Sequence, residues 1–264
     1  MNNKIRQPAV AGSFYPGNHK ELALMLREFF QKTKKTFPAP EKIKALVVPH
    51  AGYVYSGQTA AWGYRQLPTG LENPHFVLIG PSHFSAFSGL VCSNADYWQT
   101  PMGKVEHKTI DDKKIKIMAD SQPHQPEHSL EVQLPFLQFV YQNHFRFTAF
   151  LTGYSLNSEK AGEFFWEKYP ESIFVFSSDL SHYLPDEEAR KKDKKTIRAI
   201  IDQDKNYLSA EDNSACGREG LLILIELAKI NHWQGRLVYY DTSATASGDR
   251  SGVVGYSSVI FYEI

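Results

Sequence analysis

Short apolar runs of strand-forming residues alternate with helical patterns along most of the chain, and this alternation constrains the fold more than any other feature. The runs predict strands at 43–48, 75–80, 88–93, 145–151 and 172–177. Apolar side chains at helical spacing predict helices at 19–31, 57–67, 109–119, 129–142, 158–168, 186–203 and 215–230. Strands that alternate with helices imply parallel pairing, with helices covering both faces of the sheet. We therefore predict an α/β fold with a central, largely parallel sheet.

The C-terminal segment departs from this alternation. RLVYYDT and VVGYSSVIFYEI show a spacing closer to two residues, and the turn region ATASGDRSG separates them. These segments predict a hairpin that adds antiparallel strands, so the sheet is expected to be mixed. No shift in composition marks a domain boundary, and we predict a single domain over residues 1–264.

Charge and cysteine content exclude several classes of protein. Lys and Arg together number 29, as do Asp and Glu, so the chain has no excess positive charge for general binding to nucleic acid or to an anionic membrane. No run approaches the ~20 apolar residues of a membrane span, and MNNKIRQPAV lacks the apolar core of a secretory signal. The only cysteines are Cys92 and Cys216, so a disulfide framework is not expected. These features favour a cytoplasmic protein, and the apolar run around Cys92 indicates a buried thiol.

Three of the predicted strands end in the same way, with an apolar run, a short turn and then a histidine. LVVPH ends at His50, VLIGPSH ends at His83, and IFVFSSDLSH contains Asp179 and ends at His182. Because the carboxyl ends of parallel strands meet at one edge of a sheet, these side chains are expected to converge there in a crevice. A single histidine in a turn is usually solvated or hydrogen-bonded, but three at successive strand ends indicate a shared site.

The residue types suit a transition metal. Neutral imidazole is the commonest metal ligand in proteins, and two histidines with one anionic side chain suit a divalent metal that keeps open positions. Cys216 is a candidate third ligand, since a thiol at a helix N-terminus gains thiolate character. The spacing equally allows Cys216 to be a small residue that packs the start of the helix.

The segment QPEHSLEVQLPFLQ offers further candidates. Ser129 is predicted to cap the helix that follows it. Glu127 and His128 precede that helix, where loops commonly enter a cleft, although both could be ordinary surface residues. Glu131 is expected to face solvent or to support a neighbouring residue.

Several long segments resemble the Memo family, whose prokaryotic members are called AmmeMemoRadiSam system protein B. The resemblance begins near residue 6, reaches the C-terminus and rests on QPAVAGSFYPG, PHAGYVYSG, IGPSH, EHSLEVQLPFL, SSDLSHY and ACGREG. The family is similar in fold to the class III extradiol dioxygenases, which use non-haem iron(II). The resemblance therefore implies a single α/β domain of that type.

The resemblance also implies roles for individual residues. His50 and His83 match the two histidine ligands of the dioxygenases, and Cys216 matches the position of their carboxylate ligand. His182 matches their acid–base histidine, and Asp179 is expected to orient it. The resemblance places a further set around the same pocket, with His128 in its lining and the aromatic residues at its rim: Phe14, Tyr15, Tyr53 and Tyr55.

A cysteine in place of the carboxylate changes the expected chemistry. A soft thiolate shifts the preference towards copper(I), zinc or thiolate-bound iron, so catechol dioxygenase activity does not transfer with the fold. We expect a metal-dependent redox enzyme that holds iron or copper, with zinc and hydrolysis as a less favoured alternative.

Two non-enzymatic interpretations stay open. The pocket could bind a ligand or peptide without catalysis, as in the phosphotyrosine-peptide interaction proposed for animal members of the family. The prokaryotic family name also implies pathway partners of the AMMECR and radical-SAM types. The sequence names neither the small-molecule or modified-peptide substrate nor the partner surface.

Overall fold

The fold is known from a computed structural model that describes residues 3–36 and 42–263. Part of the loop predicted at 32–42 and the last residue of the predicted C-terminal strand lie outside these ranges. The strands are β1 (Ile5–Arg6), β2 (Lys42–Val48), β3 (His75–Pro81), β4 (Leu90–Cys92), β5 (Tyr97–Thr100), β6 (Gly103–His107), β7 (Ile117–Ala119), β8 (Arg146–Thr152), β9 (Ile173–Ser177), β10 (His182–Leu184), β11 (Gln234–Thr242) and β12 (Val253–Glu263). The helices are α1 (His19–Gln31), α2 (Tyr53–Tyr64), α3 (Leu134–Tyr141), α4 (Ser158–Lys168), α5 (Asp186–Ile201), α6 (Lys205–Ala210), α7 (Arg218–Ile230) and α8 (Ala244–Ser247). A 3₁₀ turn covers Glu131–Gln133.

The strands form one mixed sheet whose centre is parallel. The central order is β8-β3-β9-β2, and every neighbouring pair in this group is parallel. β12 adds to β2 in the antiparallel direction and also forms the predicted hairpin with β11. The predicted α/β class with a largely parallel, mixed sheet is confirmed.

Helices cover both faces of this sheet, as predicted. Phe76 and Leu78 of β3 face a core built with α1, α2 and α3. Val77 and Ile79 face the opposite core, which α4, α5 and α7 complete. Because both faces of the central strands are buried, their sequences are continuous apolar runs.

The prediction of a helix at 109–119 is wrong. This segment contains turns and ends in β7, which pairs in parallel with β4. The side chain of Asp112 accepts the backbone N–H of Lys114 at 2.8 Å, which stabilises a turn instead of a helix. Ile117 then joins the sheet, where a β-branched side chain packs well.

Several predicted helix starts also move. α2 begins at Tyr53 instead of 57, and α7 begins at Arg218 instead of 215. The segment predicted as a helix from 129 begins instead with the 3₁₀ turn, and α3 follows with Pro135 in its first turn. Ser129 caps no helix, because its hydroxyl donates to Pro81 O at 2.8 Å.

The helices of the described ranges include none that is both long and apolar enough to cross a membrane.

Candidate metal centre

The sheet topology brings the three predicted strand ends together. β3, β9 and β2 are consecutive parallel neighbours, so their carboxyl ends share one edge. His50 follows the last residue of β2 by two positions, and His83 follows the last residue of β3 by two positions. The turn after β9 carries Asp179 and leads to His182.

A compact group of metal-ligating atoms lies at this edge. One ligand atom from each of His50, His83 and Cys216 lies within 4.8 Å of the other two. His50 Nε2 is 3.2 Å from Cys216 Sγ, and the rings of His50 and His83 have centroids 5.2 Å apart. The structure therefore brings together the three residues that the sequence suggested as ligands.

Cys216 reaches the strand ends because the next residue is a glycine. Gly217 N donates to Ser178 Oγ at 2.9 Å. A Cβ on Gly217 would lie 2.6 Å from Ser177 O, a distance that no side chain tolerates. The glycine thus allows the segment before α7 to approach β9 and places the cysteine thiol beside His50.

His83 is oriented by a buried carboxylate. Glu127 Oε1 accepts from His83 Nδ1 at 3.0 Å, and Glu127 Oε2 accepts from His83 N at 2.5 Å. Burial alone would lower the pKa of His83, but the hydrogen bond and charge of Glu127 outweigh it and raise that pKa. Burial likewise acts to raise the pKa of Glu127, but the bonds from His83 and Ser129 hold it at about 2. A carboxylate on Nδ1 directs Nε2 of His83 towards a metal, as in many metalloproteins.

Glu127 also belongs to a second group of ligating atoms, with His83 and His128, that lie within 4.8 Å of one another. Its Oε1 already accepts from His128 N and Ser129 N at 2.8 Å each, besides the bond from His83. These donors saturate Oε1, and Oε2 accepts His83 N, so both oxygens already support the backbone and ring of their neighbours. Glu127 therefore fits the role of a supporting carboxylate better than that of a ligand.

Burial disfavours the charged forms of both His50 and Cys216. His50 is only 2% exposed, and burial lowers its pKa to about 3, so the ring stays uncharged near neutral pH. Burial raises the pKa of the Cys216 thiol above its ordinary value, and the charge of Asp179 adds to this effect. Burial therefore opposes the thiolate character that was expected from the helix N-terminus. The thiol sulfur accepts the backbone N–H of Asp179 at 3.2 Å and lies two residues before α7.

His182 and Asp179 line the same edge but do not pair through their side chains. His182 Nδ1 lies 2.8 Å from Leu180 O, and a carbonyl oxygen only accepts, so Nδ1 carries a proton and Nε2 is the nitrogen that faces away from this bond. Asp179 Oδ1 accepts His50 N at 2.8 Å, which fixes the turn before α2. Asp179 therefore does not orient His182 by a side-chain hydrogen bond, which corrects that expectation. The side chain of Asn213 instead accepts His182 N and donates to His182 O.

The predicted pocket residues divide into two groups. His128 stacks on His83 at 4.8 Å between ring centroids, and Phe14 lies 4.7 Å from His128, so both border the site. Tyr55 is 48% exposed, and its place at the rim stays a prediction. Tyr15 and Tyr53 are buried in the core instead, with their hydroxyls on Glu131 Oε1 and Val132 O, which corrects their placement at the rim.

The sequence did not reveal the support beneath the site. Glu131 does not face solvent, and instead supports a neighbouring residue through a fully buried ion pair with Arg6 at 2.7 Å. Arg6 also donates to the backbone oxygen of Glu127 at 2.6 Å, which ties the N-terminal strand to the residue whose carboxylate orients His83. The sequence EHSLEVQ could have indicated this support, because polar residues occupy every second position of it. All four of these residues are buried: Glu127, Ser129, Glu131 and Gln133. Buried polar groups at this density must bind one another or the backbone.

The donor set fits a transition metal. Two imidazole nitrogens and one sulfur are ligands that iron, copper and zinc accept, and both histidines have their second nitrogen hydrogen-bonded to the protein. The donor types alone do not choose among these metals. The fold and this cluster define an α/β protein with a candidate transition-metal centre at the carboxyl edge of its sheet.

Comparison with known proteins identifies the family. The family model described as Memo-like protein matches residues 6–260. A MEMO1 family protein of Archaeoglobus fulgidus is 38% identical over 97% of this chain and 99% of its own. A MEMO1 family protein of Aquifex aeolicus is 37% identical over 98% of this chain and 99% of its own. The chain belongs to the Memo family.

Among solved structures, an uncharacterized protein from Escherichia coli K12 covers 83% of this chain and matches over 100% of its own, at 12% identity and a TM-score of 0.45.

Proposed function

We propose that this protein is a metal-dependent redox enzyme whose metal, iron or copper, is held by His50, His83 and Cys216. The observation that supports the proposal is the convergence of two imidazoles and one thiol within 4.8 Å at the edge where α/β proteins bind ligands. When bound, such a metal supplies electron exchange with O₂ or a substrate at the positions that the protein leaves open. Zinc would fit the same donors but would supply hydrolysis instead.

His182 is the proton-transfer group in this proposal. Its Nδ1 is held on Leu180 O, so Nε2 is the nitrogen that can accept a proton from a substrate and return it later. Asp179 supports the site by accepting the backbone N–H of His50, which fixes the position of that ligand. The rings of His128 and Phe14, which are in contact, supply a partly apolar wall against which a substrate can lie.

Metal content tests the proposal. The protein would be purified without a metal-affinity tag, loaded anaerobically with iron(II) or copper(I), and analysed by elemental mass spectrometry beside Cys216→Ala. The matched control is Cys92→Ala, which removes the other cysteine from the core without touching the site. We expect near-stoichiometric metal in the parent and in Cys92→Ala, and a fall of roughly 10-fold or more in Cys216→Ala. Absence of metal from the loaded parent protein would overturn the proposal.

A second measurement separates enzyme from binding module. Exposed aromatic side chains follow two of the site histidines, Phe84 at 61% and Tyr183 at 82% exposure, and such side chains suit ligand binding without catalysis. If the protein is an enzyme, the metal-loaded parent should take up O₂ with some member of a panel of reducing and dihydroxy-aromatic compounds. His182→Ala should lose this uptake while it still holds its metal. A binding module would show no uptake in the metal-loaded parent and would keep its ligand after loss of the metal residues.

A further inference from the structure

We infer that Gln133 and Ser177 lock His50 in the tautomer with the proton on Nδ1, so that its Nε2 lone pair faces Cys216. The inference rests on the proposed metal site, because it assigns to these two buried side chains the task of positioning one ligand. Both residues lie outside the group that would touch the metal, and they act through His50.

The argument starts from the hydroxyl of Ser177, which has three polar neighbours. Its Oγ lies 2.6 Å from Ser129 O, 2.9 Å from Gln133 Nε2 and 2.9 Å from His50 Nδ1. A serine hydroxyl has one proton to donate and two lone pairs with which to accept. Only one of the three neighbours can therefore receive the hydroxyl proton.

The backbone takes that proton. Ser129 O is a carbonyl oxygen and only accepts, so a contact of 2.6 Å with Ser177 Oγ requires the hydroxyl proton between them. If Ser177 instead donated to His50, two oxygens would face each other at that distance without a proton, in a region closed to water. Ser177 is 1% exposed and Ser129 is fully buried.

The amide of Gln133 takes one lone pair of the hydroxyl. Gln133 Nε2 lies 3.0 Å from Pro49 O, another carbonyl, so this end of the side chain must be the NH₂ group. The Gln133 Oε1 atom accepts the hydroxyl of Tyr64 at 2.9 Å, which agrees with that orientation. The second N–H of Gln133 is then directed at Ser177 Oγ.

His50 must consequently donate. The one lone pair left on Ser177 Oγ faces His50 Nδ1, and this contact is a hydrogen bond only if Nδ1 carries the proton. A neutral imidazole has one ring proton, so Nε2 has a lone pair, and Nε2 is the atom that lies 3.2 Å from Cys216 Sγ. The network therefore presents a ligating nitrogen before any metal arrives.

The turn that carries Gln133 also binds all three strand ends. Gln133 binds Pro49 after β2, Ser129 Oγ donates to Pro81 at the end of β3, and Ser129 O accepts from Ser177 at the end of β9. The lock on His50 is thus built into the segment that sets the spacing of the site.

The test compares Ser177→Ala with Ser172→Ala. Ser172 lies just before β9 at its other end and forms the same kind of bond, with its Oγ 2.8 Å from His75 Nδ1, far from the proposed ligands. Nuclear magnetic resonance of metal-free protein labelled at its histidine ring nitrogens reports the tautomer, with His50→Gln used to assign the signal. Titration with iron(II), under anaerobic conditions, reports affinity for the metal.

We expect His50 of the parent protein to be protonated on Nδ1. In Ser177→Ala the ring should populate both tautomers, and iron(II) affinity should fall roughly 10- to 100-fold. Ser172→Ala should leave the signal of His50 and the affinity unchanged. The tautomer is read on the parent protein, and His50→Gln serves only to assign its signal.

Two results would overturn the inference. The first is a parent protein in which His50 is protonated on Nε2. The second is a Ser177→Ala variant that keeps both the parent tautomer and the parent affinity. If the parent protein shows the Nδ1–H tautomer but binds neither iron nor copper, the proposed function fails while the hydrogen-bond assignment stands.

Discussion

The two ends of β9 each pair a buried serine with a histidine of a neighbouring strand segment, yet the two histidines have different surroundings. At the amino end His75 uses both ring nitrogens, with Nδ1 on Ser172 Oγ at 2.8 Å and Nε2 on Thr148 Oγ1 at 3.0 Å. At the carboxyl end the Nδ1 atom of His50 binds Ser177, and Nε2 faces the Cys216 thiol. The contrast shows that burial and a serine partner do not distinguish a structural histidine from a candidate ligand. The surroundings of the second nitrogen do.

The surroundings of the second ring nitrogen also distinguish His107, on the flank of the sheet, from His83. His107 binds Ala95 O through Nδ1, and its Nε2 accepts the backbone N–H of Ala149 at 3.1 Å. Both nitrogens are occupied by the backbone, as expected for a hydrogen-bonded core residue. His83 resembles His50 instead, because Glu127 holds its Nδ1 and leaves Nε2 for a metal.

The largest effect that we predict comes from the buried charges beneath the carboxyl edge. Arg6→Ala should lower the free energy of unfolding by about 3–5 kcal/mol, because it leaves the Glu131 carboxylate buried without its partner. Arg146→Ala, at the exposed amino edge, should change it by no more than about 0.5 kcal/mol. Urea unfolding of both variants checks the comparison. Equal losses would mean that the two edges do not differ in their dependence on buried charge.

The next effect separates the two serine-bound histidines directly. His50→Ala should reduce metal affinity by roughly 100-fold or more, since it removes a ligand instead of a supporting group. His75→Ala should leave metal affinity unchanged, although it leaves Thr148 and Ser172 without their shared partner. Competitive metal titration of the two variants measures this difference. Similar affinities in both would contradict the assignment of His50.

A smaller, graded effect is expected with pH for the structural histidines. Burial lowers the pKa of His75 and His107 to about 4 and that of His124 to about 3. The unfolded chain binds protons at these residues below about pH 6.5, while the folded protein does not, so stability falls as the pH drops from 6.5 towards 4. Each histidine contributes about 1 kcal/mol per pH unit within this window. Urea unfolding of metal-free protein at several pH values tests it, and a stability that rose on acidification would contradict the burial of these rings.

The smallest effect should come from an exposed ion pair at the amino edge. Lys108 pairs with Glu106, and their side chains are 50% and 45% exposed. Lys108→Ala should therefore change the free energy of unfolding by less than about 1 kcal/mol, because water screens the pair. A loss as large as that expected for Arg6→Ala would show that the amino edge also depends on charge.

The sequence was sufficient to predict the residues whose position depends only on the direction of the strands. His50 and His83 follow apolar runs, and parallel pairing brings the ends of such runs to one edge without knowledge of side-chain contacts. Cys216 required the family resemblance, because its position beside His50 depends on the close approach of Gly217 to β9.

Contacts between distant segments could not be predicted in this way. Arg6 and Glu131 are 125 positions apart, so nothing near either residue indicates that they pair. Tyr53 and Tyr55 look alike in the sequence, but the first turns its ring into the core and the second stays exposed, which depends on where α2 begins. The helix predicted at 109–119 failed for a related reason, since pairing with β4 outweighed a helical spacing of apolar residues.

A cobalt(II) titration tests the central claim most directly, because a cobalt–thiolate bond gives a charge-transfer absorption that reports the cysteine itself. We predict that the parent protein and Cys92→Ser bind one equivalent with this absorption, and that it is lost in Cys216→Ser. An unchanged charge-transfer absorption in Cys216→Ser, or the absence of saturable binding by the parent protein, would contradict a metal centre built from His50, His83 and Cys216.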